Sequence, residues 1–166
     1  MPLSVTIKSS FAGSHTSALD LGTAEMPFNA AYAKVFTDGI GVNQVDRIFT
    51  DRRTIAASAT DSLDLSGALT NAFGTVTFAR IKGVLVMASA ANTNNVNVVR
   101  PSSNGVPLFL AAGDGMPVHP GGKFEWVSPT AAGVAVTAGT GDLLDLVNSG
   151  AGTSVTYDII VIGASA

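Results

Sequence analysis

The chain has 166 residues, of which 13% are charged and 46% are apolar, and it contains no cysteine. This length suits one domain with its own core, and the absence of cysteine excludes disulfides, thiolate chemistry and zinc ribbons. A net charge of −3 without a basic stretch argues against a nucleic-acid partner, and no apolar run approaches the roughly 20 residues that span a bilayer.

Residues 1–43 show no sustained helical or strand period. We predict an irregular N-terminal arm here, either extended or with a short helix around residues 29–35. The first ten residues lack the basic and apolar segments of a secretory signal, which favours synthesis in the cytoplasm. The arm carries three spaced aromatic residues, Phe28, Tyr32 and Phe36. Because an extended arm would leave them in water, we predict that these three residues form an interface with a partner.

Residues 44–166 form a second unit of short apolar alternations bounded by Gly, Asn, Pro or Ser. Such a pattern predicts about eight or nine strands in an all-β, antiparallel sandwich or barrel. A jelly roll is the first choice, and an immunoglobulin-like or other Greek-key sandwich is the second. The segment DRIFTDRR (residues 46–53) interleaves arginine with Asp46 and Asp51, which predicts an ion-paired strand edge rather than a phosphate site.

Individual strands can be placed by their alternation. Leu63 and Leu65 share one face of a strand, as do Val96 and Val98 of a later one. Gly83 interrupts a longer apolar run and predicts a bulge or bend. The final segment, TSVTYDIIVIG, resembles the first strand of a dinucleotide-binding enzyme, but no third glycine, acidic residue or helix follows it. We predict instead a closing strand that starts half exposed and ends buried on both sides.

No constellation of side chains predicts an enzyme. His119 and Glu125 faintly resemble the metal motif of cupins, but Gly121 stands where the second histidine should be. His15 lies in a Ser/Gly-rich segment without an acidic neighbour, and no serine has a plausible catalytic partner set. Asp142 and Asp145 could flank a glycosidic bond, but a turn acid and an outward strand acid explain them better. We therefore expect no catalytic residue, metal or cofactor.

Residues 61–163 resemble a family of tailed-bacteriophage structural proteins in the order of their predicted strands and in the sequences of the turns between them. The segments that carry the likeness are LDLSGALTNAFGTVTFARIKGVLV, NNVNVV, MPVHPGGKFEWVSP and VTAGTGDLLDLVNSGAGTSVTYDIIVIG. That family comprises the capsid decoration, or cement, proteins with a jelly-roll fold. The resemblance implies homotrimers on the capsid surface of the virion that clamp neighbouring major capsid subunits.

The sparse charge agrees with this resemblance, because average soluble chains contain about 25% charged residues. A surface with so few charges is typical of a protein that is largely covered by neighbours, although a secreted-type β domain has a similar composition. A virion structural protein is thus the leading expectation. A phage tail or receptor-binding β module that recognises a host-surface glycan through Trp126 is the alternative, followed by a degenerate cupin.

Overall fold

The structure, a computed structural model, describes residues 2–67 and 69–166, which form β-strands and no α-helix. Within these residues nothing resembles a helical membrane span. In chain order the strands are β1 (Val5–Leu19), β2 (Gly22–Asp38), β3 (Gln44–Val45), β4 (Arg47–Ile55), β5 (Thr60–Asp64), β6 (Leu69–Asn71), β7 (Gly74–Val76), β8 (Arg80–Ala88), β9 (Val96–Val99), β10 (Gly115–Val118), β11 (Lys123–Val127), β12 (Val134–Ala135), β13 (Leu143–Asn148) and β14 (Val155–Ala164). The all-β prediction is therefore confirmed.

Two antiparallel sheets form the body of the protein. One has the order β10-β9-β13-β5, and the other has the order β11-β8-β14-β4 with β12 also paired to β8. Apolar residues from the inner faces of both sheets pack into one core. The predicted inward pairs Leu63 and Leu65, and Val96 and Val98, are all buried in it. The antiparallel sandwich is thus confirmed, and the jelly roll within that class stays a prediction.

The last strand, β14, lies in the middle of the second sheet, between β8 and β4. On its outer face Asp158 is partly exposed, whereas Ile162 is buried. The inner face places every second residue in the core, and these residues are Val155, Tyr157, Ile159 and Val161. This confirms the predicted closing strand, half exposed at its start and buried on both sides at its end.

Strand β4 is an edge strand, and the arginines of DRIFTDRR make ion pairs along it. Arg52 donates to the carboxylate of Asp158 through Nε (2.6 Å) and Nη2 (2.9 Å). Arg53 donates to Asp61 through Nε and Nη2, and the hydroxyl of Tyr157 donates to the same carboxylate at 2.9 Å. Burial alone would raise the pKa of Asp61, but the hydrogen bonds from Arg53 and Tyr157 hold it below its ordinary value. The prediction of an ion-paired edge is confirmed.

The N-terminal segment is a long β-hairpin, so the predicted irregular arm and the short helix at residues 29–35 are both wrong. Strands β1 and β2 pair without interruption from Val5↔Phe36 to Leu19↔Gly22, around a two-residue turn. The unbroken ladder satisfies backbone groups that an irregular arm would leave to water. Serine and alanine in β1, and alanine in β2, hide the alternation that marks a strand in sequence.

A second, smaller core attaches the hairpin to the body. Phe36, Val45 and Ile162 are buried together on the outer face of the five-stranded sheet. Further apolar residues pack around these three, namely Leu3, Val5, Ile7, Ile48, Val127 and Ile160. The predicted domain boundary near residue 43 therefore cuts through a packed cluster, because the base of the hairpin (residues 3–9 and 34–38) belongs to the body.

The predicted irregularity at Gly83 is present, and it places a buried lysine. The pairing of β8 with β14 shifts there, from Ile162↔Gly83 to Gly163↔Ile81, so Lys82 has no partner on β14. A β-carbon at Gly83 would stand 2.8 Å from Cγ1 of Ile162, which explains the glycine. The shift leaves the Lys82 side chain free to turn toward the loop between β2 and β3.

Lys82 is fully buried, and its ammonium is bonded only to backbone oxygen atoms of that loop. Nζ donates to the carbonyls of Ile40 (3.0 Å), Gly41 (2.6 Å) and Gln44 (2.9 Å). Burial lowers the pKa of Lys82, and the nearby charge of Arg80 lowers it further. The three carbonyl acceptors replace the water that the ammonium loses on burial, and they hold the loop against the sheet.

Replacing Lys82 with methionine should destabilise the protein, because three carbonyls would then be buried without a donor. We expect Lys82→Met to lower the free energy of unfolding by about 2–4 kcal/mol. Chemical denaturation followed by the fluorescence of Trp126, the only tryptophan, measures this. The exposed Lys8→Met is the matched control and should change stability by less than about 0.5 kcal/mol. Equal stability of the two variants would contradict the structural role of Lys82.

Candidate interaction surface

Most of the hairpin stands clear of the body. Every residue from 10 to 33 is exposed, whereas the base makes the contacts of the second core. At about 3.3 Å per residue, the projecting part (residues 10–33) extends roughly 35 Å. An isolated two-stranded hairpin is at best marginally stable in water. The projecting part thus has only its own ladder and its attachment at the base to keep it ordered.

The two faces of the projecting part differ in chemistry. Because cross-strand partners share a face, the register places odd residues of β1 and even residues of β2 on the same side. This apolar face includes Phe11, Leu19, Met26, Phe28 and Tyr32, whose side chains are all exposed. The opposite, small-residue face consists of Ser10, Ala12, Ser14, Thr16, Ala18, Thr23, Glu25, Pro27, Asn29, Ala31 and Ala33.

A glycine shapes the centre of the apolar face. Gly13 is the cross-strand partner of Phe28, and a β-carbon at position 13 would stand 2.8 Å from Cζ of that ring. The ring therefore lies over the glycine and close to the sheet, instead of standing away from it. A low ring keeps the apolar face flat, and sheets stack face to face on flat surfaces about 10 Å apart.

A polar contact marks the point where the hairpin leaves the body. The Ser9 hydroxyl lies 3.0 Å from Oε1 and 2.8 Å from Oε2 of Glu125, and Nζ of Lys123 donates to both Ser9 and Glu125. The Lys123 hydrogen bond is the main reason that the pKa of Glu125 is lowered; burial opposes it and the Ser9 hydrogen bond adds to it. A small apolar cleft lies between the base and the sheet at this point.

The structure separates the three aromatic residues that were predicted to form an interface. Phe28 and Tyr32 lie on the apolar face and are about half exposed, at 53% and 43%. Phe36 is fully buried in the second core, so its prediction as an interface residue is wrong. Phe36 lies on the same face of β2 as Phe28 and Tyr32, but at the base of the hairpin, where the five-stranded sheet of the body covers that face.

Sequence analysis missed three large residues of this surface, Phe11, Leu19 and Met26. Their residue numbers place them on this face, since Phe11 and Leu19 are odd-numbered residues of β1 and Met26 is an even-numbered residue of β2. The shared face can be inferred only when the position of the turn is known, because the turn determines which residues of the two strands pair.

The residues that were considered for chemistry have structural partners. His119 is exposed in the turn after β10, while Glu125 binds Ser9 and Lys123. In the described parts of the chain no group of three or more His, Cys, Asp or Glu is placed to hold a metal. Asp142 accepts hydrogen bonds from the Ser66 hydroxyl and a turn amide, and the carboxylate of Asp145 accepts one from Ser62.

Trp126, the aromatic residue considered for glycan stacking, lies on the inner side of β11. It is partly buried and packs against the sandwich core. His15, by contrast, lies on the apolar face of the hairpin, opposite Met26.

Searches against protein-family models, curated proteins and solved structures found no match. The hairpin surface and the sandwich body therefore have to be interpreted from their own geometry.

The contrasting positions of Phe36 and Phe28 predict different effects of the same substitution. Phe36→Ala empties a site in the second core and should cost about 3–5 kcal/mol of unfolding free energy. Phe28→Ala, on the exposed hairpin, should change the stability of the body by less than about 0.5 kcal/mol. Denaturation monitored by Trp126 at submicromolar protein tests both. A loss at Phe28 as large as that at Phe36 would show that the body, too, depends on the projecting part.

The lowered pKa of Glu125 predicts how the contact at the base responds to acid. Because the folded value lies below the ordinary one, ionised Glu125 stabilises the contact at neutral pH, and this contribution disappears as the pH falls through the folded value. Titration of the Glu125 carboxyl carbon by NMR measures the pKa. In Lys123→Met the value should rise toward that of a free glutamate. An unchanged pKa in that variant would contradict the assigned cause.

Proposed function

We propose that the protein is a structural component of a tailed-phage virion, a capsid decoration protein that binds the head as a homotrimer and bridges major capsid subunits. The observation that carries this proposal is the projecting hairpin. It exposes an apolar face on a body whose sandwich core is complete without it. A patch of this kind often marks an interaction site, because the largest apolar patch on a protein surface is frequently a functional one.

The distribution of charge supports a permanent structural role. Few residues are charged, and several of these form ion pairs within the body. Arg52–Asp158 and Lys123–Glu125 lie on the five-stranded sheet, and Arg53–Asp61 connects the two sheets. Electrostatic steering of a transient partner requires a concentration of one sign of charge at the surface. The hairpin instead presents apolar area, which suits contacts that form once and remain.

The resemblance of residues 61–163 to jelly-roll decoration proteins adds a specific architecture to this proposal. A trimer on a capsid three-fold position meets several capsid subunits at once. Each weak contact then raises the effective concentration for the next, so the assembly binds far more tightly than one copy could. Ordering the hairpins in the assembled trimer costs conformational entropy, and the apolar area that they bury there has to offset it.

The decoration test uses phage heads assembled without the protein. Light scattering coupled to size exclusion should report three chains per particle for the purified protein, and this trimer should co-sediment with the heads. A shortened variant, in which Asn-Gly replaces residues 11–30, keeps the base and joins the partners Ser10 and Ala31 by a two-residue turn. Because its apolar area and its avidity are both reduced, we expect its affinity for the heads to fall by at least about 100-fold.

Two results would contradict the proposal. One is a monomer at micromolar concentration, and the other is full-length protein that stays in the supernatant at every head concentration. A Leu21→Ser variant, altered only at the exposed turn, controls for effects of handling and should behave as the original protein. Equally strong decoration by the shortened variant would show that the capsid contact does not need the projecting part of the hairpin.

A further inference from the structure

The area and chemistry of the apolar face indicate what kind of partner covers it. The exposed parts of Phe11, Phe28 and Tyr32, with those of Leu19 and Met26, come to an apolar area on the order of 500 Å². Other exposed large apolar residues, such as Phe73, Leu110 and Met116, lie apart from it on the body. The small-residue face offers little to bury, so a partner has to cover one side of the hairpin only.

The apolar face is also uncharged. Between residues 10 and 33 it carries no Asp, Glu, Lys or Arg, and the one acidic residue on the strands of this part, Glu25, lies on the small-residue face. A partner surface that matches it must be apolar and uncharged as well, since an unpaired charge buried against it would cost several kcal/mol.

The five-stranded sheet of the body does not provide such a surface. Beyond the base of the hairpin, its outer face carries Lys123, Asp158 and Arg52, which are engaged in ion pairs. Covering these with Phe or Met side chains would remove charges from water without new partners. Exchange of hairpins onto this sheet of a neighbouring body is therefore unfavourable.

We propose that the apolar face packs against the same face of hairpins from other copies of this chain. Copies of an uncharged face meet without charge conflict, and the flat ring of Phe28 above Gly13 suits stacking of sheets. The proposed contact between hairpins would extend the second core, because Val5, Ile7 and Phe36 of the same face already pack on the body. The small-residue face remains on the outside of the bundle.

The available area suits contacts between copies. A stable interface typically buries about 800 Å² on each partner, of which about 60% is apolar, and the apolar side chains of one hairpin supply an area of that order. In a closed ring each hairpin contacts two neighbours, and the bundle encloses its apolar side chains without leaving an open end. This inference deepens the proposed function, since it names the hairpins as the contact that forms the trimer, but it can be tested without any virion.

Cross-linking tests the inference directly, because the chain contains no cysteine of its own. Ala30→Cys places a thiol on the apolar face opposite Phe11, and Ala31→Cys, the matched control, places one on the small-residue face opposite Ser10. With a short bismaleimide at micromolar protein, Ala30→Cys should give covalent dimers in high yield. Ala31→Cys should give at least about tenfold less. Equal yields from the two variants would overturn the proposal.

Substitutions on the two faces provide the second measurement. The double variant Phe11→Ser with Phe28→Ser should raise the dissociation constant of the assembly by at least about 100-fold in sedimentation velocity. The control, Ala31→Ser with Val35→Ser on the opposite face, should leave it unchanged. Circular dichroism verifies that both remain folded. An intact assembly in the first variant would refute the hairpin contact, whereas a hairpin-linked assembly that fails to bind phage heads would refute only the decoration function.

Discussion

A buried ammonium reinforces the junction between the two parts of the molecule. Nζ of Lys82 donates to three carbonyls of the loop between β2 and β3, and this loop determines where the hairpin meets the body. The lysine reaches the loop because the ladder of β8 and β14 is shifted at that position. Among the described residues its ammonium makes no hydrogen bond to a carboxylate; the three carbonyls replace the lost water, and the nearby charge of Asp46 also favours the ionised form. These hydrogen bonds hold the loop against the sheet at the base of the hairpin.

The two apolar cores have different tasks. The large core lies between the sheets and needs residues from β4 onward, so the sandwich is stable as a unit. The small core, around Phe36, Val45 and Ile162, covers the outer end of β14 and attaches the hairpin base. Stability is therefore uneven along the hairpin: its base shares the cooperativity of the body, and its projecting part has only its ladder. Elements of low local stability are the ones available for ordering by a partner.

The few charges of the chain also follow this division. Ion pairs such as Arg52–Asp158 and Lys123–Glu125 lie on the outer face of the sheet, while the apolar face of the hairpin has none beyond the base. Partly exposed ion pairs contribute little to stability, but they keep that part of the sheet wet and unsuitable for apolar packing. Ion pairs thus occupy this part of the body, whereas the hairpin exposes a group of large apolar side chains.

Local alternation in the sequence determined the sandwich strands, the inward pairs such as Leu63 and Leu65, and the buried closing strand. In these segments β-branched and aromatic residues alternate with polar ones, so the period is visible without any partner strand. The hairpin was decided by tertiary structure, because β1 is rich in Ser and Ala and β2 in Ala, and only the pairing register gathers Phe11 and Phe28 on one face. The burial of Phe36 and the carbonyl acceptors of Lys82 likewise depend on segments that are far away in the chain. A local sequence pattern does not encode such contacts, because the two contacting segments meet only when the chain folds.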